Sequence, residues 1–171
     1  EEALKAIEYP GVQSVQINFK TFRPLPREIY ANKHQRRKVG ILARVPLSSG
    51  MLTGKFSEQS QFSSDDHRQY NRHGESFDVG ETFSGVDYDL SLEAVEKLRA
   101  LVPQDISMAQ FALRWILMFE AISCTIPGAK DAQQAADNAR ASDLPPLSDE
   151  TMAAVKEIYD SMIKAQVHHR W

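Results

Sequence analysis

The feature that most constrains the fold is a short, continuous apolar run, Val39 to Ala43, that ends at a glycine-containing loop. Runs of this kind are typical of strands buried on both faces of a parallel sheet. The earlier segment Val12 to Phe19 alternates apolar and polar side chains and predicts a strand, and Ala121 to Ile126 is a third short apolar run. Arg27 to Lys38, between the first two, has the pattern of a basic amphipathic helix. The order strand, helix, strand predicts an α/β fold with a parallel sheet.

The rest of the chain adds helices but no further strand. A closed (β/α)₈ barrel needs eight strands and about 250 residues, so 171 residues with three candidate strands cannot close one alone. About thirty residues after Phe56 show no periodicity, which is typical of a functional flap or a mobile insertion. Ser107 and Ser148 are expected to be N-caps. The predicted helices are Glu1 to Glu8, Leu90 to Val102, Ser107 to about Phe119, Asp131 to Ala141 and Asp149 to about Ala165.

Composition excludes several classes of partner. The net charge of -3 argues against a surface for nucleic acid or anionic membranes, both of which require clustered Lys and Arg. No apolar run approaches the roughly 20 residues of a membrane helix. The single cysteine, Cys124, excludes an internal disulfide and is expected to lie in the core on a buried strand. Without a basic-then-apolar N-terminal signal pattern, a cytoplasmic location is expected.

Two loops that follow strands have the chemistry of anion sites. The loop from Arg44 to Lys55 combines small hydroxyl residues, two glycines and a lysine at the carboxyl end of a strand, where parallel sheets bind ligands. An ordinary glycine-containing turn is the alternative. The second loop, Ile126 to Asp131, holds Gly128 and Lys130 ahead of a helix whose N-terminus is positive. Gln134, Asp137 and Asn138 share one face of that helix, which is alternatively a solvated surface.

Together, these two segments resemble the aldo-keto reductases. In that family a strand ends in Pro-Leu, small residues, Gly and then Gly-Lys, and a later strand ends in Ile-Pro-Gly-Ala-Lys before a helix with Gln and Asn. Val15 to Phe19, Ala112 to Trp115 and the last helix also resemble the family in the same order. The resemblance spans residues 1–171. It implies the C-terminal part of an NADP-dependent oxidoreductase domain: a partial (β/α)₈ TIM barrel with parallel strands, from the helix before strand six to an extra C-terminal helix.

The resemblance also implies a cofactor site. Gln16 matches the strand-six glutamine that hydrogen-bonds the nicotinamide carboxamide. Arg44 stands where many members place an aromatic ring against the nicotinamide, and a planar guanidinium can also lie flat on a ring. The residues that match the pyrophosphate loop are Pro46, Leu47, Ser48, Ser49, Gly50 and Lys55. Those that match the adenosine end are Gly128, Lys130 and Gln134 at the 2′-phosphate and Asp137 and Asn138 at the adenine.

Lys130 favours NADPH over NADH. One hydrogen bond to a charged group contributes roughly 1.5–3 kcal/mol, which is about tenfold or more in affinity. The family's catalytic Asp, Tyr, Lys and His lie in strands that precede Glu1, so we expect no catalytic residue within this chain. We also expect no metal site, because Asp65, Asp66 and His67 lie in an irregular loop without paired ligand spacing.

The function implied for the intact parent is reduction of an aldehyde or ketone to an alcohol with NADPH. The expected partners are a small carbonyl substrate and the missing N-terminal half of the barrel or a partner chain. Alone, the chain is expected to expose unpaired strand edges and an apolar barrel interior. Three alternatives remain open: a noncatalytic NADP-binding protein such as the channel β subunits that share this barrel, a half-barrel interaction module, and an inactive truncated product.

Overall fold

A computed structural model describes residues 2–24 and 39–170. Three parallel strands form one sheet in chain order: β1 (Ser14–Asn18), β2 (Gly40–Arg44) and β3 (Cys124–Thr125). In the register, Leu42 lies opposite both Gln16 on β1 and Cys124 on β3. The prediction of an α/β fold with a parallel sheet is confirmed. The predicted helix Arg27 to Lys38 lies outside the described residues.

The predicted helices within the described residues are found, most of them with shorter ends, but the one predicted from Leu90 begins two residues earlier, at Tyr88. A further short helix, His67–Tyr70, lies in the segment where the sequence predicts none. The last predicted helix, Asp149 to Ala165, is interrupted by a π-helical turn at Tyr159–Ile163. Short 3₁₀ turns join several of the other elements. The helices are α1 (Glu2–Ala6), α2 (His67–Tyr70), α3 (Tyr88–Arg99), α4 (Met108–Leu117), α5 (Ala132–Ala139), α6 (Asp149–Ile158) and α7 (Lys164–Val167).

Both predicted N-caps are confirmed. The Ser107 hydroxyl accepts the backbone N–H of Gln110 at 3.2 Å, and the Gln110 side chain accepts the backbone N–H of Ser107 at 3.0 Å. Ser148 accepts the backbone N–H of Thr151 at 3.2 Å at the start of α6. Each cap satisfies a backbone donor that has no partner within the helix, which stabilises a helix by about 1 kcal/mol.

The core lies on one face of the sheet, under α4. Ile17, Ile41 and Ala43 belong to the same apolar cluster as the buried residues of α4. Phe19 stacks on Trp115 of α4 with ring centroids 5.5 Å apart. This contact joins the residue that follows β1 to α4.

The opposite face of the sheet is open and carries both polar and apolar side chains. Successive strand residues point to opposite faces, so Gln16, Leu42, Arg44 and Cys124 share the face away from α4. Gln16 and Cys124 are exposed, and Leu42 and Arg44 are partly exposed. The prediction that Cys124 lies in the core is therefore wrong, because its side chain is on the uncovered face. Of these four residues Gln16 and Arg44 are polar and Leu42 and Cys124 are apolar, so the face expected to be an apolar barrel interior is mixed in character.

Within the described residues, no helix has the length and apolar character needed to cross a membrane.

Candidate functional site

The loops that follow β2 and β3 leave the same edge of the sheet. The two strands are parallel and paired, with Ala43 opposite Thr125, so their carboxyl ends are adjacent. The backbone N–H of Ile126 donates to Ala43 O at 3.0 Å and extends this pairing into the second loop. The edge where both loops begin is the ligand-binding edge of parallel α/β sheets.

The loop after β2 has an unusual backbone. Val45, Ser48 and Ser49 have φ angles of 52°, 51° and 56°, and Gly50 has 94°. Non-glycine residues in this region cost about 1–3 kcal/mol each and cluster at functional sites. Gly50 is required for a second reason, since a Cβ there would lie 3.0 Å from the Phe56 ring.

A longer segment packs on this loop and bonds its two serines. The Ser48 and Ser84 hydroxyls are 2.5 Å apart, and Ser48 is fully buried. The Ser49 hydroxyl donates to Glu81 O at 3.1 Å and accepts the Phe83 N–H at 3.3 Å. The serine hydroxyls that the resemblance implies at the pyrophosphate are thus bonded to the protein itself. The backbone N–H groups of Ser48 and Gly50 also donate within the loop, to Val45 O and Leu47 O at 3.2 and 3.0 Å. An anion would therefore be bound by the other N–H groups of the loop and by the exposed Lys55.

Arg44, at the end of β2, forms a two-point ion pair with Glu81. Its Nη1 and Nη2 donate to the two carboxylate oxygens at 2.9 and 2.5 Å. These hydrogen bonds raise the pKa of the Arg44 guanidinium. Parallel bonds of this kind fix the plane of the guanidinium as well as its position. The plane of Arg44 is therefore set by a residue 37 positions away in sequence.

Segment 57–87, which supplies Glu81 and Ser84, is built around a buried asparagine. The Asn71 Oδ1 accepts the backbone N–H groups of Ser76 and Phe77 at 2.7 and 2.8 Å, and its Nδ2 donates to Thr82 Oγ1 at 3.2 Å. Asn71 is fully buried. The segment is therefore held by side-chain to backbone bonds, which explains why its sequence shows no helical or strand periodicity.

Sequence reasoning missed Asn18 and Lys20 at the end of β1. Lys20 is fully buried, and its Nζ donates to Asn18 Oδ1 at 2.7 Å. Burial, and then the charge of Arg23, lowers the pKa of Lys20 from 10.5 to about 7. The Asn18 Nδ2 is buried and has no hydrogen-bond partner within the described part of the chain. Two of the charges that act on it, those of Arg44 and Glu81, are distant in sequence, and no sequence signal distinguishes this lysine from one on the surface.

The loop after β3 is fixed by the helix that follows it. Gln134 Oε1 accepts the backbone N–H of Lys130 at 3.1 Å, and Asn138 Nδ2 donates to Gly128 O at 3.2 Å. Asp131 caps α5 by accepting the Gln134 N–H at 2.7 Å. The side-chain amides of Gln134 and Asn138 therefore fix the backbone of the loop against α5.

The charged groups of this loop differ in their pairing. Asp137 accepts from Arg140 at 2.8 Å and from Gln133 at 3.0 Å. The Lys130 side chain is exposed and pairs with no carboxylate in residues 2–24 and 39–170. Nothing lies within 4 Å of a Cβ built on Gly128. The loop thus presents an open backbone and an uncompensated cation beside the N-terminus of α5.

Comparison with known proteins identifies the family. The family model described as the aldo/keto reductase family matches residues 1–160. The chain belongs to the aldo/keto reductase family. One curated relative, the L-glyceraldehyde 3-phosphate reductase of Escherichia coli O157:H7, is 30% identical over 124 residues, which are 72% of this chain and 34% of that protein. The protein of the same name in strain K12 is 31% identical over 108 residues, which are 63% of this chain and 30% of that protein.

Solved aldo-keto reductase structures show the same fold. A glycerol dehydrogenase from Gluconobacter oxydans superposes with a TM-score of 0.70 at 22% identity, over 88% of this chain and 43% of that one. The holo form of an aldo-keto reductase from Bacillus halodurans gives 0.60 at 16% identity, over 92% of this chain and 46% of that one. The resemblance to part of a TIM barrel is therefore confirmed.

The chain spans about a third of the curated relatives and less than half of the solved structures that it matches. The family consists of oxidoreductases of the kind that reduces carbonyls, and its members typically use nicotinamide cofactors. Within the part of the chain that the structure describes, no three His, Cys, Asp or Glu side chains gather to hold a metal ion.

Proposed function

We propose that the protein containing this chain is an NADPH-dependent reductase that converts an aldehyde or ketone into an alcohol. Residues 1–171 form the C-terminal part of its oxidoreductase domain and contribute the pyrophosphate and 2′-phosphate parts of the cofactor site. The observation that supports this most directly is the position of two cation-bearing loops, ending in Lys55 and Lys130, at the carboxyl ends of the paired strands β2 and β3.

The adenosine end of the cofactor fits the loop after β3. A 2′-phosphate needs a cation with no internal partner and a backbone that a ligand can approach, and Lys130 and Gly128 provide these two features. Gln134 and Asn138 support that backbone through their bonds to Lys130 and Gly128. Asp137, with two partners of its own, belongs in this proposal to the wall that borders the adenine.

The pyrophosphate fits the loop after β2 through its backbone. Pro46, Leu47, Ser48, Ser49 and Gly50 shape the loop, and the positive φ angles turn its peptide groups away from regular structure. Successive backbone N–H groups in such turns form anion-binding concavities. Lys55 adds an exposed ammonium at the end of the loop.

The nicotinamide end fits the open face of the sheet. Reduced nicotinamide supplies a hydride, so the protein must hold the ring and orient it. Gln16 is exposed on that face and its side-chain amide can bond a carboxamide. Arg44, in a plane fixed by Glu81, can lie flat against the ring. The proton donor to the carbonyl oxygen is expected in the other part of the barrel, and a cytoplasmic location remains a prediction.

Cofactor selectivity tests this proposal. The complete protein, with the sequence that its gene encodes around this chain, is titrated with NADPH and with NADH. We expect NADPH to bind at least tenfold more tightly, and Lys130→Met to remove most of that difference while leaving NADH affinity unchanged. Lys97→Met, at an exposed lysine on α3, is the matched control.

Turnover of aldehydes and ketones then distinguishes the alternatives. NADPH oxidation that depends on a carbonyl compound supports the reductase. Tight NADPH binding without turnover supports a noncatalytic sensor. Equal affinity for NADPH and NADH, or a loss in Lys97→Met as large as in Lys130→Met, contradicts the assignment of the 2′-phosphate site.

A further inference from the structure

A cavity separate from the two cofactor loops lies where segment 57–87 meets the C-terminal turn of the chain. Its volume is about 380 Å³, which is within the range of small-molecule sites. It includes none of the residues that the proposed function assigns to the cofactor. Its walls combine aromatic and aliphatic side chains with two arginines, and they include Arg72, Phe83, Val86, Tyr88, Gln166 and Arg170.

The Arg72 guanidinium is held in place by aromatic rings. Its Cζ lies 4.6 Å from the centroid of the Tyr88 ring, 5.5 Å from that of Phe62 and 5.9 Å from that of Phe83. Its Nε donates to Arg68 O at 3.1 Å. In the described residues no carboxylate pairs with it and no acceptor bonds its Nη groups. The protein thus fixes the orientation of the Arg72 guanidinium, and the Nη groups make no hydrogen bond within the described residues.

Arg68, four residues before Arg72, stacks on the same aromatic cluster, but its charge is paired with a carboxylate. Its Cζ lies 4.6 Å from the Phe62 ring centroid. Its Nε donates to both oxygens of Asp66 at 2.9 and 3.1 Å, and its Nη2 donates at 2.5 Å. These hydrogen bonds lower the pKa of Asp66 to about 2. Two arginines therefore stack on one ring, and among the described residues only Arg68, which does not line the cavity, has an acidic partner.

A second unpaired cation borders the cavity. Arg170 has no carboxylate partner in residues 2–24 and 39–170, and its Nη1 would lie 3.0 Å from a Cβ added to Gly85. Asp87 also borders the cavity, but its Oδ1 accepts the Leu90 N–H as the cap of α3. His73 lines the same space. Among the described residues, two arginines and one carboxylate therefore line the cavity, and the carboxylate already accepts another hydrogen bond.

We propose that this cavity binds a small organic carboxylate in which an apolar ring is attached to the charged group. The carboxylate is bound by Arg72 and Arg170, because guanidinium groups match the two oxygens of a carboxylate. The ring lies against the partly exposed side chains of Val79 and Tyr88, which line the cavity together with the buried Phe83 and Val86. A bare inorganic anion would satisfy the two charges but leave the exposed parts of Val79 and Tyr88 in contact with water, which is why the ligand is expected to be amphipathic.

Three probes of known chemistry separate charge from ring. The complete protein is titrated with benzoate, with benzyl alcohol, which keeps the ring without the charge, and with acetate, which keeps the charge without the ring. Ligand-detected NMR measures each affinity. We expect saturable binding of benzoate and at least tenfold weaker binding of the other two. Acetate that binds as tightly as benzoate, or benzoate that does not saturate, overturns the proposal.

Three variants locate the binding in this cavity. Arg170→Gln changes an exposed side chain and is expected to weaken benzoate at least fivefold without affecting folding. Arg72→Lys keeps the charge but loses the two-point hydrogen bonding of the guanidinium, and it is expected to weaken benzoate binding by a similar factor. Arg68→Lys is the matched control, because Arg68 stacks on the same aromatic cluster but does not line the cavity. Unchanged affinity in Arg170→Gln, or an equal loss in Arg68→Lys, overturns the assignment.

Discussion

Replacing Lys20 by methionine tests whether the fully buried ammonium destabilises the fold near neutral pH. Burial lowers the pKa of Lys20 from 10.5 to about 7. Between these two values the unfolded chain binds the lysine proton and the folded chain does not, so the stability of the wild-type protein rises with pH. Below pH 7 the folded state holds a charged lysine without water, and the unfavourable contribution is largest there. Above pH 10.5 it vanishes.

The size of the effect follows from the pKa change. One pKa unit is about 1.4 kcal/mol, so a shift from 10.5 to about 7 corresponds to about 5 kcal/mol below pH 7. Methionine also removes the donor to Asn18 Oδ1, and leaving that oxygen unpaired costs about 1–3 kcal/mol at every pH. The diagnostic quantity is therefore the change with pH of the difference in unfolding free energy between Lys20→Met and wild type. The stability advantage of Lys20→Met should fall by about 2.5 kcal/mol in total between about pH 7.5 and 9.5.

Urea unfolding of the complete protein at several pH values measures this change. The control is Lys97→Met, which removes an exposed lysine from α3 and should give a curve parallel to wild type. If the Lys20→Met and wild-type curves stay parallel within about 0.5 kcal/mol across that range, burial of the ammonium does not control its protonation, and the reasoning is refuted.

Two further substitutions test how segment 57–87 is held. Asn71→Ala removes three hydrogen bonds of a fully buried amide and should lower the free energy of unfolding by about 3 kcal/mol, measured by urea denaturation; a change below about 1 kcal/mol would contradict the central role of Asn71. Glu81→Gln breaks the partly exposed ion pair with Arg44 and should cost about 1 kcal/mol at low salt and less in about 1 M NaCl, whereas a loss independent of salt would show that charge is not the cause.

The parts of the fold that sequence predicts well are those that local chemistry determines. Ser107 and Ser148 are N-caps because a short hydroxyl side chain reaches the next turn of its own helix. The parallel strands follow from apolar runs separated by helix-length connections, and α4 is buried because it is apolar on most sides. Each of these signals lies within a few residues of the structure it predicts.

The parts that sequence does not predict depend on contacts between distant residues. Arg44 and Glu81 are 37 residues apart, and Ser48 and Ser84 are 36 apart. Lysine is usually found at the surface, yet Lys20 is fully buried, and two of the charges that act on it belong to Arg44 and Glu81. The prediction that Cys124 lies in the core is wrong for a different reason. An apolar run predicts a strand correctly, but it does not show which face of the sheet is covered. The run of residues gives the element, and tertiary packing decides its environment.

The loop after β2 shows how one composition serves two purposes. Small hydroxyl residues suggest phosphate contacts, yet the Ser48 and Ser49 hydroxyls bond segment 57–87. The same serines adopt positive φ angles, which shape the peptide groups between Val45 and Gly50. In our proposal the phosphate contacts come from Lys55 and from the loop N–H groups other than those of Ser48 and Gly50, which donate within the loop. The hydroxyls maintain the backbone shape by joining the loop to the segment. The segment would then influence cofactor binding through the geometry of the loop, without touching the cofactor at these serines.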